Sequence, residues 1–188
     1  MTAASQTSPA RATPGLILGP YYPVQQPQDA DHRLWRGHAR PDGARCLKFS
    51  GEVIDLAAQS LAGLTVELWH ADPAGRYPHP AAPESDRVDP DFLGYGRVET
   101  DAEGRFAFDP LVPGGYQALN GRRAVHLHVQ ITGRCERLVT QVFLADDATR
   151  SDDHWFRAAN RRERLIARTL CEDTAVLHLH WTAVLSRG

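Results

Sequence analysis

The sequence predicts an all-β fold: an antiparallel β-sandwich with long loops and a short helix. Three observations carry that reading. Apolar and polar residues alternate in short runs, as on half-buried strands. Clusters of Gly, Pro, Asp and Asn separate the runs. Helical spacing occurs in one place only, after residue 151. About seven short strands with little helix favour two packed antiparallel layers.

Taken in order, residues 1–15 are rich in Ser, Thr, Ala and Pro and read as loose. GLILGPYYPVQQPQ follows, and its prolines force an extended course. RCLKFSGEVID (45–55) alternates as a strand, and LTVELWHAD (64–72) as a second. Residues 73–93 are charged and proline-rich, a long loop of the kind that often carries function. YGRVETD, AEG and RFAFD read as strand, turn and strand of a hairpin. LVPGGYQALNGR reads as another loop, residues 123–131 and 137–146 as strands. DDHWFRAANRRERLIARTL has helical spacing with Asp near its start, and TAVLHLHWTAVL (174–185) reads as a closing strand. No repeat at fixed period and no composition break is present. The expected organisation is an extended segment over 1–44 and one β-sandwich domain over 45–188.

Bulk properties exclude several classes. The 188 residues suffice for one sizeable core, at 42% hydrophobic and 23% charged. A formal charge of −2 gives no reason to expect nucleic acid or an anionic membrane as partner. No apolar run approaches the roughly 20 residues of a membrane helix, and the first residues lack the apolar stretch of a signal peptide. Cys46, Cys135 and Cys171 are odd in number and widely spaced. They read as reduced, mostly buried thiols, which points to the cytoplasm.

The chemistry centres on RRAVHLHVQI, residues 122–131. On a strand, His126, His128 and Gln130 share one face, and Val125, Leu127, Val129 and Ile131 the other. Paired imidazoles suit a metal, and equally a solvated polar face. No GxGxxG, P-loop, HExxH or GxSxG occurs. What remains is Tyr77 in the long loop, Tyr116 in PGGY, and Arg123 three residues before His126. Should Tyr77, Tyr116, His126 and His128 converge, two phenolates would ask for a strongly charged, Lewis-acidic ion such as ferric iron, since phenol ionises near pH 10. Zinc sites draw on Cys, His and carboxylate instead.

Several motifs, in order, resemble the intradiol ring-cleavage dioxygenases of the protocatechuate 3,4-dioxygenase type. GPYYP is similar to that family's opening segment, and LTVELWHADPAGRYPHP to its segment ending in GRYxH. DPDFLGYGRVETDAEGRFAFDPLVPGGY, RRAVHLHVQI and RLVTQVFLADD resemble three more of its stretches, so the likeness spans residues 19 to about 147. The resemblance implies a non-haem Fe(III) enzyme that cleaves a catechol-type ring between its two hydroxyl-bearing carbons with O2, giving a cis,cis-muconate-type product. It implies Tyr77, Tyr116, His126 and His128 as iron ligands, with Tyr116 displaceable. Arg123 would stabilise developing negative charge on the substrate, and Gln141 would line the pocket. Tyr21 and Tyr22 would approach its mouth. The expected partners are a small aromatic diol and O2, in a homo-oligomer or an oligomer with a related chain. Gln117, Ala118, Ala124 and Val125 depart from the family pattern without touching the ligands, which leaves pocket shape and substrate open.

Competing readings attach to the same residues. His178 and His180 repeat the HLH pattern without a tyrosine loop or an upstream arginine, and read as a solvated face. Tyr95 reads as packing, His79 as locally hydrogen-bonded, His154 and Trp155 as helix packing, and RRER (161–164) as solvated. Arg122 and Arg36 are candidate rim cations for a carboxylated substrate. The alternative functions are a non-catalytic β-sandwich binding module and a divalent-metal hydrolase using the histidine pair.

Overall fold

A computed structural model describes residues 11–36, 43–173 and 175–186; residues 1–10, the start of the segment expected to be loose, lie outside them. Ten strands form: β1 (Cys46–Asp55), β2 (Thr65–Trp69), β3 (Tyr95–Glu99), β4 (Arg105–Phe108), β5 (Tyr116–Ala118), β6 (Gly121–Arg123), β7 (His126–Thr132), β8 (Arg137–Leu144), β9 (Ile166–Glu172) and β10 (Val176–Leu185). The one α-helix, α1, is His154–Ala158.

Eight strands make one sheet in the order β3-β2-β7-β8-β9-β10-β1-β4, and β5-β6 is a separate ribbon. The sheet wraps around a single core. Val66, Leu68, Leu127, Val129, Ile131 and Val142 from one half meet Leu47, Phe49, Phe108, Leu179, Trp181 and Ala183 from the other. The two halves join through a short parallel contact, Phe143 with Ile166 and Leu144 with Ala167.

This corrects the expected antiparallel sandwich, because the sheet is mixed. β1 and β10 pair in parallel from Cys46–Val176 to Asp55–Leu185. A parallel pair needs a long crossover, and here everything between the two strands supplies it. No local turn signal encodes such a pairing.

The hairpin expected over 95–109 keeps its turn but not its ladder. Asp101 accepts hydrogen bonds from the backbone N–H groups of Glu103 (3.0 Å) and Arg105 (2.7 Å), and Gly104 takes φ 73°. Beyond the turn the strands part. β3 pairs with β2 and β4 with β1, so the turn links the sheet's two outer edges. Leu34, fully buried, plugs the gap, since its segment bonds to Asp109 beside β4 and to Arg97 on β3.

Two further expectations change. The loop at 111–122 contains the β5-β6 ribbon. The helical stretch after 151 yields the five residues of α1 and a short 3-10 helix over Arg162–Leu165. Ala159 turns extended, Arg161 takes a left-handed φ of 52°, and residues 166–172 join the edge of β10 as β9. The cysteines are free, but Cys135 and Cys171 are exposed rather than buried. Cys135 sits in the β7–β8 turn and Cys171 on β9 near Leu170, itself 54% exposed. Among the described residues no helix is long and apolar enough to cross a membrane.

Candidate metal centre

β7 is buried on both faces. Leu127, Val129 and Ile131 are fully buried, while His126 and His128 are each 3% exposed and Gln130 is 9% exposed. The solvated-face reading of this histidine pair is therefore wrong. Alternation does place the two imidazoles side by side, with their Nε2 atoms 3.3 Å apart. His126 Nδ1 donates to the Ala124 carbonyl at 2.6 Å; a carbonyl only accepts, so Nε2 keeps its lone pair. Burial is the first cause that holds both rings neutral. It lowers the pKa of His126 to about 3 and that of His128 well below the ordinary histidine value, with Arg123 adding to both effects. The Trp69 ring stacks on His128, centroids 4.9 Å apart and planes 12° apart. Gly19 closes over the same imidazole, since a Cβ there would lie 3.0 Å from its Cε1.

The two tyrosines arrive on separate elements. Asp72 shapes the turn before Tyr77: its carboxylate accepts from the backbone of Ala74 and Arg76 and from the Arg76 guanidinium. Gly75 (φ 82°) and Gly115 then let this loop touch the β5-β6 ribbon, because a Cβ on Gly75 would meet the Gly115 carbonyl at 2.7 Å. Tyr77 is 3% exposed, and among the described residues its buried hydroxyl has no partner at good hydrogen-bond geometry. Tyr116 is half-buried, opposite Arg123 in the ribbon. Ring centroids close a circuit: Tyr77 to Tyr116 5.7 Å, Tyr116 to His126 5.9 Å, His126 to His128 4.9 Å, and His128 to Tyr77 6.3 Å. Burial raises the pKa of both phenols, Tyr77 well above the ordinary value, while the Arg123 charge opposes the rise.

Arg123 links this circuit to Gln141. Its Nη2 donates to Gln141 Oε1 at 2.5 Å and its Nη1 to the Tyr116 hydroxyl at 3.4 Å. Gln141 is fully buried and its Nε2 is unpaired. Tyr21 lies on Tyr77, centroids 4.8 Å apart. Tyr22 points elsewhere. Its hydroxyl donates to Glu67 Oε1 at 2.7 Å and its ring packs edge-on to Trp69, so it braces the wall behind His128. Burial, then Glu67, raises its pKa to about 12.

Sequence reasoning missed Glu67, His70 and Asp153. Glu67, 6% exposed, accepts hydrogen bonds from Tyr22, Tyr95 and Gln130. His70 is fully buried, its Nδ1 2.7 Å from the Ala71 carbonyl and its Nε2 unpaired. Asp153 is fully buried against Arg123. Only Asp153 left a trace in the sequence, as an acidic residue opening a helix. His79 accepts locally from the Ala81 backbone N–H, and Tyr95 is a packed, hydrogen-bonded wall residue. Arg36 is paired with Asp29.

The donor set fits a hard, highly charged cation. Two neutral imidazoles face each other, an unpaired phenol lies beside them, and a second phenol completes the circuit. Among the described residues no cluster of three or more His, Cys, Asp or Glu could hold a metal. Phenols must therefore complete any set built on this pair, which disfavours the divalent-metal hydrolase.

Comparison with known proteins bears on the family of the chain. Residues 17–186 match the family model described as Dioxygenase. The chain is 34% identical over 171 residues to the protocatechuate 3,4-dioxygenase beta chain of Burkholderia cepacia, covering 84% of this chain and 72% of that one. It is 29% identical over 163 residues to catechol 1,2-dioxygenase 2 of Acinetobacter lwoffii, covering 77% of this chain and 55% of the relative. It thus spans about half the length of that catechol enzyme. The fold is similar to the dioxygenase domain of a dioxygenase carbohydrate-binding protein fusion from Streptomyces sp. SirexAA-E, with TM-score 0.75, 23% identity, and 95% and 100% of the two chains covered.

Proposed function

Because this chain belongs to the intradiol ring-cleavage dioxygenase family, we propose that it cleaves a catechol-type ring between its two hydroxyl-bearing carbons with O2, giving a cis,cis-muconate-type product. The carrying observation is the closed circuit of Tyr77, Tyr116, His126 and His128 with Arg123 at its edge. Family membership disfavours a non-catalytic binding module, which has no need of such a set.

These four residues would hold non-haem Fe(III), which when bound supplies Lewis acidity and a template for the diol and O2. Tyr77, His126 and His128 suit permanent anchoring, since each is 3% exposed and sits in a packed wall. Tyr116 is half-buried on a ribbon of three residues a side, so it is the donor that can swing away. As a phenolate its oxygen would take a proton from the incoming diol and become the neutral phenol. Arg123 Nη1 lies close enough to favour the phenolate until that transfer. The Arg123 Nη groups and Gln141 Nε2 then offer fixed donors where negative charge develops on the ring oxygens. Trp69 and Gly19 keep His128 dry and in one orientation.

Protocatechuate-like diols and catechol are both candidate substrates, and Arg122, exposed opposite Gln117 in the ribbon, is a cation that a carboxylated ring could use. A related chain or a second copy as partner, and residues 45–188 as the catalytic domain, belong to the same proposal.

The test is a visible spectrum of the purified protein, then anaerobic addition of catechol or protocatechuate. A broad tyrosinate-to-Fe(III) band that moves to longer wavelength with one diol supports the reading and selects the substrate class. A protein that stays colourless after ferric loading overturns it.

A further inference from the structure

Asp153 is fully buried, and each of its two carboxylate oxygens serves a different element. Oδ1 accepts from the backbone N–H groups of Trp155 (2.9 Å) and Phe156 (3.1 Å), capping α1. Oδ2 accepts from Arg123 Nε (2.8 Å) and from the Ala124 backbone N–H (3.0 Å). The Arg123 guanidinium is thereby held by its Nε side, and its two Nη groups are left to Gln141 and Tyr116. Ala124, whose backbone N–H the same oxygen holds, also supplies, from its next peptide group, the carbonyl that fixes the His126 tautomer. A planar guanidinium gripped along one side has its other side aimed.

We propose that Asp153 is the positioning residue of this site: it aims the Nη face of Arg123 at the reacting diol, and α1 exists in its short form to hold that carboxylate in place. This rests on the ring-cleavage reading for its kinetics but not for its geometry. Without that grip Arg123 can turn its fork out toward solvent, and the donors facing Tyr116 and Gln141 are lost. The charge balance also favours the arrangement. One buried carboxylate compensates one buried cation, so the guanidinium stays in a site where unpaired charge is costly.

The experiment is a double-mutant cycle on the iron-loaded chain with Asp153→Asn and Arg123→Gln. Asn keeps the shape and can still cap α1 through Oδ1, but its amide then opposes the N–H of Arg123 Nε. Asp153→Asn should lower kcat/KM by about 10–100-fold, as loss of an orienting partner typically does, while the tyrosinate-to-Fe(III) band persists. In the Arg123→Gln background the same substitution should change nothing further. An equal loss in both backgrounds, or none in the first, overturns the proposal.

A second readout needs no turnover. Mass spectrometry after phenylglyoxal treatment should find Arg123 modified slowly in the parent and several-fold faster in Asp153→Asn, at a temperature where both are folded. Equal labelling overturns the clamp. If the parent cleaves no diol, the functional reading fails and the labelling alone decides the clamp.

Discussion

The tripeptide His-Leu-His occurs twice, at 126–128 on β7 and at 178–180 on β10, and the two copies behave differently. Both central leucines enter the same core, Leu127 fully buried and Leu179 1% exposed. Both histidine pairs point away from it. On β7 the pair is roofed by Trp69, Gly19, the Tyr77 loop and the Tyr116 ribbon. On β10 His178 is exposed and His180 half-buried, with Ser50 Oγ 3.3 Å from His180 Nδ1 as its polar neighbour. The spacing fixes how two imidazoles sit relative to each other. What covers them decides whether they remain neutral, dry donors. Apart from the ribbon, which directly precedes β7, that roof is assembled from segments tens of residues away in sequence.

The sharpest way to break the comparison is to remove one histidine from each copy. His128→Ala should abolish the tyrosinate-to-Fe(III) band and turnover, whereas His180→Ala should retain both; equal effects would mean that β7 is not the metal strand. The shared half is tested next. Leu127→Ala and Leu179→Ala should each lower the unfolding free energy by about 2–5 kcal/mol in urea titrations, because both side chains fill one core. A third roofed imidazole, His70, sharpens the contrast in acid. Burial lowers its pKa to about 4 from an ordinary 6.5. Between those values the unfolded chain binds a proton that the folded chain does not, so stability falls as pH drops from about 6.5 to about 4, by up to about 3 kcal/mol from this group. His70→Phe should make that part of the stability–pH curve shallower, leaving the share due to His126 and His128. Smallest of all, His178→Ala should leave stability within about 0.5 kcal/mol of the parent.

Much of this was legible because it is local. Alternation located β1, β7, β8 and β10, and the HLH, GRY and PGGY motifs carried the residues that the fold brings into one circuit. The turn at Asp101–Gly104 was legible too, but the ladder after it was not, since the partners of β3 and β4 lie on distant strands. β9 was read as helix because Ile166, Ala167 and Leu170 fit either period, and only pairing with β10 arbitrates. Asp153 shows in the sequence only as one of two Asp residues near the start of a helical stretch. Nothing in its spacing said that its second oxygen would reach Arg123, thirty residues upstream.

The parallel ladder between β1 and β10 has a consequence for how the molecule comes into being. Cys46–Asp55 emerges some 130 residues before its partner Val176–Leu185. Until then the edge of β1 is an unpaired template, and Leu47, Phe49 and Val53 lack half their core. Contacts this distant in sequence make for slow closure and a long exposure to wrong partners. β10 must leave the ribosome before β1 can finish folding, so production of this chain in active form should respond to chaperones and to lower growth temperature.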